Sequence, residues 1–202
     1  ASSAHLRSVS SSSEEASAAG FAEDAIEKMV AWKEGAGAGA SAAEILDSLK
    51  TIHTLSGLRP ADRDVVFMGA YLDANAVRDK QVEANLVVLK ALTPSNIHQR
   101  HLICATEWFC ASKYPSLLPV FPLLLKQMYD EDLLDEETIL SWSTDRLRNE
   151  FTCDRTLITD AALESLRAAA APFCTWLEEA GVEGEDSEEE DDEEDVDIDD
   201  IY

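Results

Sequence analysis

Between Phe21 and Leu177 the apolar side chains recur three and four residues apart, with no convincing alternation of apolar and polar positions. A 3.6-residue repeat lines such side chains along one face of an α-helix, whereas a half-buried strand needs a period of two. The pattern therefore predicts an all-α fold. Phe21, Ala22, Ala25, Ile26, Met29 and Val30 form the first stripe, and the Gly-Ala alternation at 35–40 reads as a loop. Ser41-Ala-Ala-Glu44 has capping-box spacing and leads into Ile45, Leu46, Leu49 and Ile52. Pro60 suits a helix start, with Val65, Val66, Met68, Gly69 and Leu72 behind it. Val82, Leu86, Val87 and Leu89 mark one further helix, closed by Thr93-Pro94. Ile97, Leu102, Ile103, Trp108 and Phe109 mark the next. Pro115, Pro119 and Pro122 punctuate a rich apolar run and predict a short helix with a start near Leu117 or a restart near Pro122. A short helix around Ile139 and Trp142 follows, then one from Leu157 to Leu177 that Pro172 should kink or split. Helices of this length joined by short loops suggest stacked antiparallel hairpins, the arrangement of an α-solenoid.

Charge divides the chain unevenly. Residues 1–49 hold 3 basic and 8 acidic side chains, residues 50–126 hold 9 and 6, and residues 127–202 hold 4 and 27. The extreme is 178–202, with 16 acidic residues and neither Lys nor Arg. Such a block repels itself, so an acidic, disordered tail is expected over 181–202. Residues 1–19, rich in Ser and Ala, read as a flexible linker. The helical domain is expected over 20–180. No apolar run approaches the roughly 20 residues of a membrane span. The start at Ala1, without Met and without a signal-like apolar run, reads as a fragment or trimmed chain of a cytosolic protein.

No catalytic constellation stands out. There is no Gly-rich phosphate loop, no Gly-x-Ser-x-Gly elbow and no His-Glu-x-x-His. Cys104, Cys110, Cys153 and Cys174 form no Cys-x-x-Cys and sit among apolar neighbours, as buried reduced thiols do. His98 and His101, three apart, are a weak signal beside the structural reading of all four histidines. No metal or cofactor is expected, and nothing demands an oligomer. The strongly negative chain should not bind nucleic acid tightly.

Two segments carry a more specific chemistry. One is Tyr129-Asp-Glu-Asp-Leu-Leu-Asp-Glu-Glu-Thr-Ile-Leu-Ser-Trp142, and the other is Phe173-Cys-Thr-Trp-Leu-Glu-Glu-Ala180. Both interleave carboxylates with large aromatics. Clustered carboxylates attract lysine-rich segments over about a Debye length, ~8 Å at physiological salt. Aromatic faces hold ammonium groups and cover lysine stems. Helical spacing leaves the bland alternative open. Phe173, Trp176 and Leu177 make one apolar stripe, so the rings read as largely buried core, with the carboxylates carrying the binding. The acidic tail can likewise be a solvated end without a partner.

These two segments, with the acidic end Asp195–Tyr202, resemble the W2 domain of translation initiation factors, and within it most of all the factor 5-type C-terminal domains. They are similar to that family's acidic/aromatic boxes 1 and 2. The resemblance covers roughly residues 20–180 and is strongest from Leu117 to Ala180. It implies a HEAT-like stack of helices and a non-catalytic adaptor. Such an adaptor would dock the lysine-rich N-terminal segment of the initiation factor 2 beta subunit, with initiation factors 1, 3 (its c subunit) and 4G as further partners, in the multifactor/43S preinitiation complex. By position, box 1 takes in Tyr129, Asp130, Asp132, Glu136, Ile139 and Trp142, and Glu131 and Glu137 join on charge alone. Box 2 takes in Phe173, Trp176, Leu177, Glu178 and Glu179, extended by acids 185–195 that include Glu188, Glu189 and Glu190. Gly181-Val-Glu-Gly184 departs from the acidic continuation of relatives and should weaken the helix after box 2. The alternative within the family is the epsilon subunit of factor 2B, whose W2 domain promotes GDP release. An acidic chaperone for basic proteins is the alternative outside it.

The middle third offers a candidate basic face, Arg59, Arg63, Arg78, Lys80, Lys90 and Arg100, for an acidic partner or for the chain's own tail; an ordinary mixed helix surface is the other reading. Ser187 precedes Glu188-Glu189-Glu190, and Ser11 and Ser12 lie three residues before Glu14 and Glu15. These are acidophilic-kinase-like contexts, where phosphate would add about −1.5 to −2 charges per site. A chance match is the competing reading for so short a motif.

Overall fold

Ser41 shows how local sequence sets a helix boundary. Its Oγ accepts from the Glu44 N–H, and the Glu44 carboxylate accepts from the Ser41 N–H at 2.8 Å, so two donors that the first turn leaves open are satisfied. The helix that follows ends on Gly57, whose φ of 64° is a left-handed conformation that glycine adopts without strain. The computed structural model describes residues 5–145 and 157–185. Within them lie α1 (His5–Glu34), α2 (Ala42–Ser56), α3 (Asp62–Tyr71), α4 (Gln81–Ala84), α5 (Leu86–Leu92), α6 (Asn96–Trp108), α7 (Phe121–Asp130), α8 (Glu136–Thr144) and α9 (Asp160–Glu185). No strand occurs among the described residues.

α3 and α6 form the centre. Val65, Val66, Phe67 and Met68 are all fully buried, as are Leu102, Ile103 and Ala105. Runs of consecutive buried residues like these mark the inner segments of the two helices. α1 and α2 pack on α3, and α3 packs on α6. α1 approaches closely because residue 69 is glycine: a Cβ there would stand 2.8 Å from Ile26 Cδ1 and 3.1 Å from Trp108 Cη2. The chain then leaves α6 through one wide π turn, Phe109–Lys113, and a 3-10 stretch, Pro115–Val120, which accommodates Pro115 and Pro119. α7 restarts with Pro122 in its first turn, where a missing N–H costs nothing. α7 and α8 both pack on α9 and close the second half of the stack.

Four local expectations are corrected. The Ser/Ala-rich stretch read as a linker over 1–19 is helical from His5, continuous with the Phe21 stripe, since Ala and Ser interrupt a helix little. The single helix expected over 82–89 is two, α4 and α5, broken at Asn85. Asn85 Nδ2 donates to the Gln81 carbonyl at 2.8 Å, the side chain competing with the backbone ladder. Pro172 does not split α9, and Gly181 and Gly184 do not end it, so the helix passes the expected boundary at 180. Leu163, Leu166 and Ala170 before the proline and Cys174 and Leu177 after it are buried, and that packing outweighs local propensity. The fourth correction concerns a ring and belongs to the site below. Ser187, Glu188, Glu189, Glu190, Cys153 and the remainder of the acidic end lie outside the described residues.

Candidate protein-docking site

The end of α7 and the middle of α9 bring the two acidic–aromatic segments together. Lys126 and Tyr129 are three apart on α7, and Phe173 and Trp176 are three apart on α9, so each pair shares a helix face. Phe173 and Trp176 stack with centroids 5.9 Å apart and 16° between planes. Tyr129 meets both rings edge-on, at 6.3 Å from Phe173 and 6.4 Å from Trp176. Tyr129 and Phe173 are half-buried, but Trp176 is 47% exposed. The expectation that Trp176 is a core ring is therefore wrong. Leu177, one position on, is fully buried and anchors α9, which leaves the Trp176 face outward.

The indole already has a cation beside it. Lys126 Nζ lies 6.0 Å from the Trp176 ring centroid, within the reach of a cation–π contact. The same ammonium is 2.7 Å from both carboxylate oxygens of Asp130. Asp130 and Asp132 are exposed and Glu131 is half-exposed, all in the last turn of α7 and the link to α8. Asp132 takes a left-handed φ of 56°, tolerated by aspartate, and donates its N–H to the Tyr129 carbonyl at 3.1 Å. On α9, Glu179 is exposed three residues after Trp176 and extends its face. Glu178 is four residues after Cys174 and turns the other way. The Cys174 thiol is raised by burial first, with the Glu178 charge adding to it.

Trp142 and Ile139 belong elsewhere. Trp142 is 3% exposed, sits 5.6 Å from the Phe121 ring, and donates Nε1–H to Glu107 Oε1 at 2.8 Å, while Ile139 is fully buried. Both are core, so the docking surface does not include the Trp142 ring. Glu136 and Glu137 occupy the first turn of α8, where negative charge meets the positive end of the helix, behind the N-cap Asp135. Glu137 lines a shallow groove with Ile97 and Arg100, between α6 and α8. Lys126 lies outside both acidic–aromatic segments, and its spacing of four from Asp130 is its only mark in the sequence.

The six residues of the expected basic face are dispersed and mostly engaged. Arg59 bonds Asp62 at 2.8 Å, Arg78 bonds Asp79 at 2.8 Å, Lys80 bonds Glu83 at 3.0 Å and Arg100 bonds Asp145 at 2.9 Å. Arg63 donates to the Leu92 carbonyl at 2.9 Å and stands 3.5 Å from Asp64. Lys90 is exposed on α5. Arg63 also lines a groove of about 380 Å³ with Lys50, His53 and His98. Asp64 is fully buried, and burial pushes its carboxyl up to about 7 against the pull of Arg63.

No group of three metal-ligating side chains converges among the described residues. Cys104, Cys110 and Cys174 are buried thiols, and burial pushes the Cys110 thiol up to about 12. No described helix is long and apolar enough to cross a membrane.

The family model W2, described as eIF4-gamma/eIF5/eIF2-epsilon, matches residues 98–195, which hold both acidic–aromatic segments. Over that segment, 98 of its 202 residues, the chain is similar to the W2 family. It is 35% identical over 82 residues to eukaryotic translation initiation factor 5 of Mus musculus, a match covering 41% of this chain and 18% of that protein. It is 32% identical over 109 residues to the factor of the same name from Zea mays, covering 53% and 22%. The chain thus spans about a fifth of the length of these relatives. A solved structure titled "The C-terminal Domain of Translation Initiation Factor 5 at low pH" superposes with a TM-score of 0.60 at 24% identity, covering 80% of this chain and 95% of that one. At that identity the likeness shows the fold. It is the all-α W2 fold, and the α7–α9 ring cluster sits inside the matched W2 segment.

Proposed function

We propose that this W2 domain is a docking adaptor of translation initiation whose α7–α9 face holds a lysine-rich segment of a partner factor. The observation that carries the reading is Trp176, half exposed beside Asp130 and Glu179, with an ammonium group already resting on it. A ring and carboxylates in that order offer what lysine needs: a face for the ammonium and its stem, and negative charge at its tip. The acids of 178–202 add long-range attraction, which speeds encounter more than it fixes geometry. The resemblance to factor 5 supplies the partner, the lysine-rich N-terminal segment of initiation factor 2 beta, with factors 1, 3 (c subunit) and 4G as further partners and the cytoplasm as the place.

The test is calorimetric titration of the beta-subunit N-terminal segment into the full chain. Binding is expected and should weaken steeply as salt rises. Reversing Asp130, Asp132 and Glu179 to lysine should abolish most of it with helix content unchanged, whereas reversing Glu188–Glu190 should mainly reduce its salt dependence. Undiminished affinity in the first variant refutes the site. The family description also includes eIF2-epsilon, so a GDP-release assay on initiation factor 2 belongs beside it. Accelerated release would favour the exchange reading over the adaptor.

A further inference from the structure

We propose that Lys126 is an internal stand-in for the partner's lysine, seated on Trp176 and Asp130 and lowering the apparent affinity of the docking face. This inference rests on the lysine-docking reading above. An incoming lysine needs a carboxylate at hydrogen-bond distance and a ring face for its cation. Lys126 has both: two contacts of 2.7 Å to Asp130 and the Trp176 ring at 6.0 Å. A partner ammonium cannot take the same place while Lys126 holds it.

The contact is built to give way. Its side chains are 47% and 49% exposed, so water competes for both charges. The lysine also precedes the aspartate along the helix, the weaker order for a pair four residues apart, since each charge then faces the wrong end of the helix dipole. Lys126 therefore exchanges between a closed position and solvent. When the competent form is only a fraction of the total, apparent affinity falls by that fraction. An exposed ion pair combined with a surface cation–π contact corresponds to a closed form favoured about three- to tenfold. A segment with several lysines displaces it readily, while an isolated lysine gains little. Lys126 thus biases the face toward lysine-dense partners.

The experiment is titration of a decalysine peptide into the full chain and its variants, each first checked for unchanged helix content and melting temperature. Lys126→Gln should bind about three- to tenfold more tightly than the parent. Lys126→Arg keeps the charge and the ring contact and should bind no more tightly. Lys28→Gln removes an ammonium paired with Asp24 at the same spacing on α1 and should change affinity less than about twofold. In a Trp176→Leu background the gain from Lys126→Gln should shrink to the part that comes from freeing Asp130. A Lys126→Gln variant that binds no better than Lys28→Gln, while the parent still binds, overturns the stand-in and leaves the docking face intact. A gain undiminished without Trp176 is plain charge and overturns it as well. If the parent itself ignores decalysine at low salt, the docking face fails and the stand-in with it.

Discussion

Trp142→Phe isolates the distinction on which the site assignment turns, because it keeps a ring in the core and removes the indole N–H. In the structure that N–H donates at 2.8 Å to Glu107, which is itself 2% exposed. Leaving a buried acceptor short of a donor costs about 1–3 kcal/mol. Shrinking indole to phenyl beside Phe121 leaves a gap worth about 1 kcal/mol more. The sum, about 2–4 kcal/mol, corresponds to a melting temperature lower by about 5–15 °C at 2–4 °C per kcal/mol for a domain of this size. Thermal and urea unfolding followed by circular dichroism measure it, and the urea m-value should stay unchanged. Adding Glu107→Leu should cost less than the sum of the single changes, because both changes remove the same hydrogen bond. Affinity of the folded variant for a lysine-rich segment should stay within about twofold. A melting temperature within about 2 °C of the parent, or a large loss of affinity without loss of stability, would show that Trp142 is a surface ring and refute the reasoning.

Three further outcomes follow from the same geometry. Trp176→Ala should destabilise by only about 1–2 kcal/mol, since half of the ring is already in water, yet weaken lysine-segment binding about three- to tenfold by loss of the cation–π face; equal affinity in titration would contradict it. Ser41→Ala removes the capping box of α2 and should cost about 1 kcal/mol in urea unfolding, with no effect on binding. Asp64 carries a pH signature. Its carboxyl is raised by burial from 3.8 to about 7, so between those values the folded chain holds a proton that the unfolded chain has released. The stability this contributes is complete below about pH 4 and is lost as pH rises through 7. Asp64→Asn stays neutral throughout, so its stability relative to the parent should climb from pH 5 to pH 8, by roughly 3 kcal/mol, about two units at 1.36 each. A difference that does not change with pH would refute the burial argument.

Much of the fold is legible in the sequence because helices and caps are local. The stripe of Ala22 to Val30 (Phe21, expected in it, is exposed), the Ser41–Glu44 box and the restart at Pro122 each depend on neighbours within a turn or two. The break at Asn85 and the survival of α9 through Pro172 were not legible for opposite reasons. One depends on a single side-chain bond to the Gln81 carbonyl, and the other on distant helices covering both sides of the proline. The site divides in the same way. Its acids and rings declare themselves by type, but Trp142 and Trp176 look alike in sequence, each at helical spacing among carboxylates. Only the packing of α7 and α8 on α9 puts one inside and the other out. Lys126 is an ordinary lysine at the edge of an apolar run until α9 sets Trp176 beside it.

The claim that matters most is where the lysine-rich partner sits. Amide and indole NMR shifts of the isotope-labelled full chain, followed during titration with the factor 2 beta segment at near-physiological salt, measure that directly. The largest changes should fall on 126–132 and 173–179, with the Trp176 indole signal among the first to move and the Trp142 indole signal still. Changes centred on the Arg63 groove, or on Trp142 with Trp176 untouched, would contradict it.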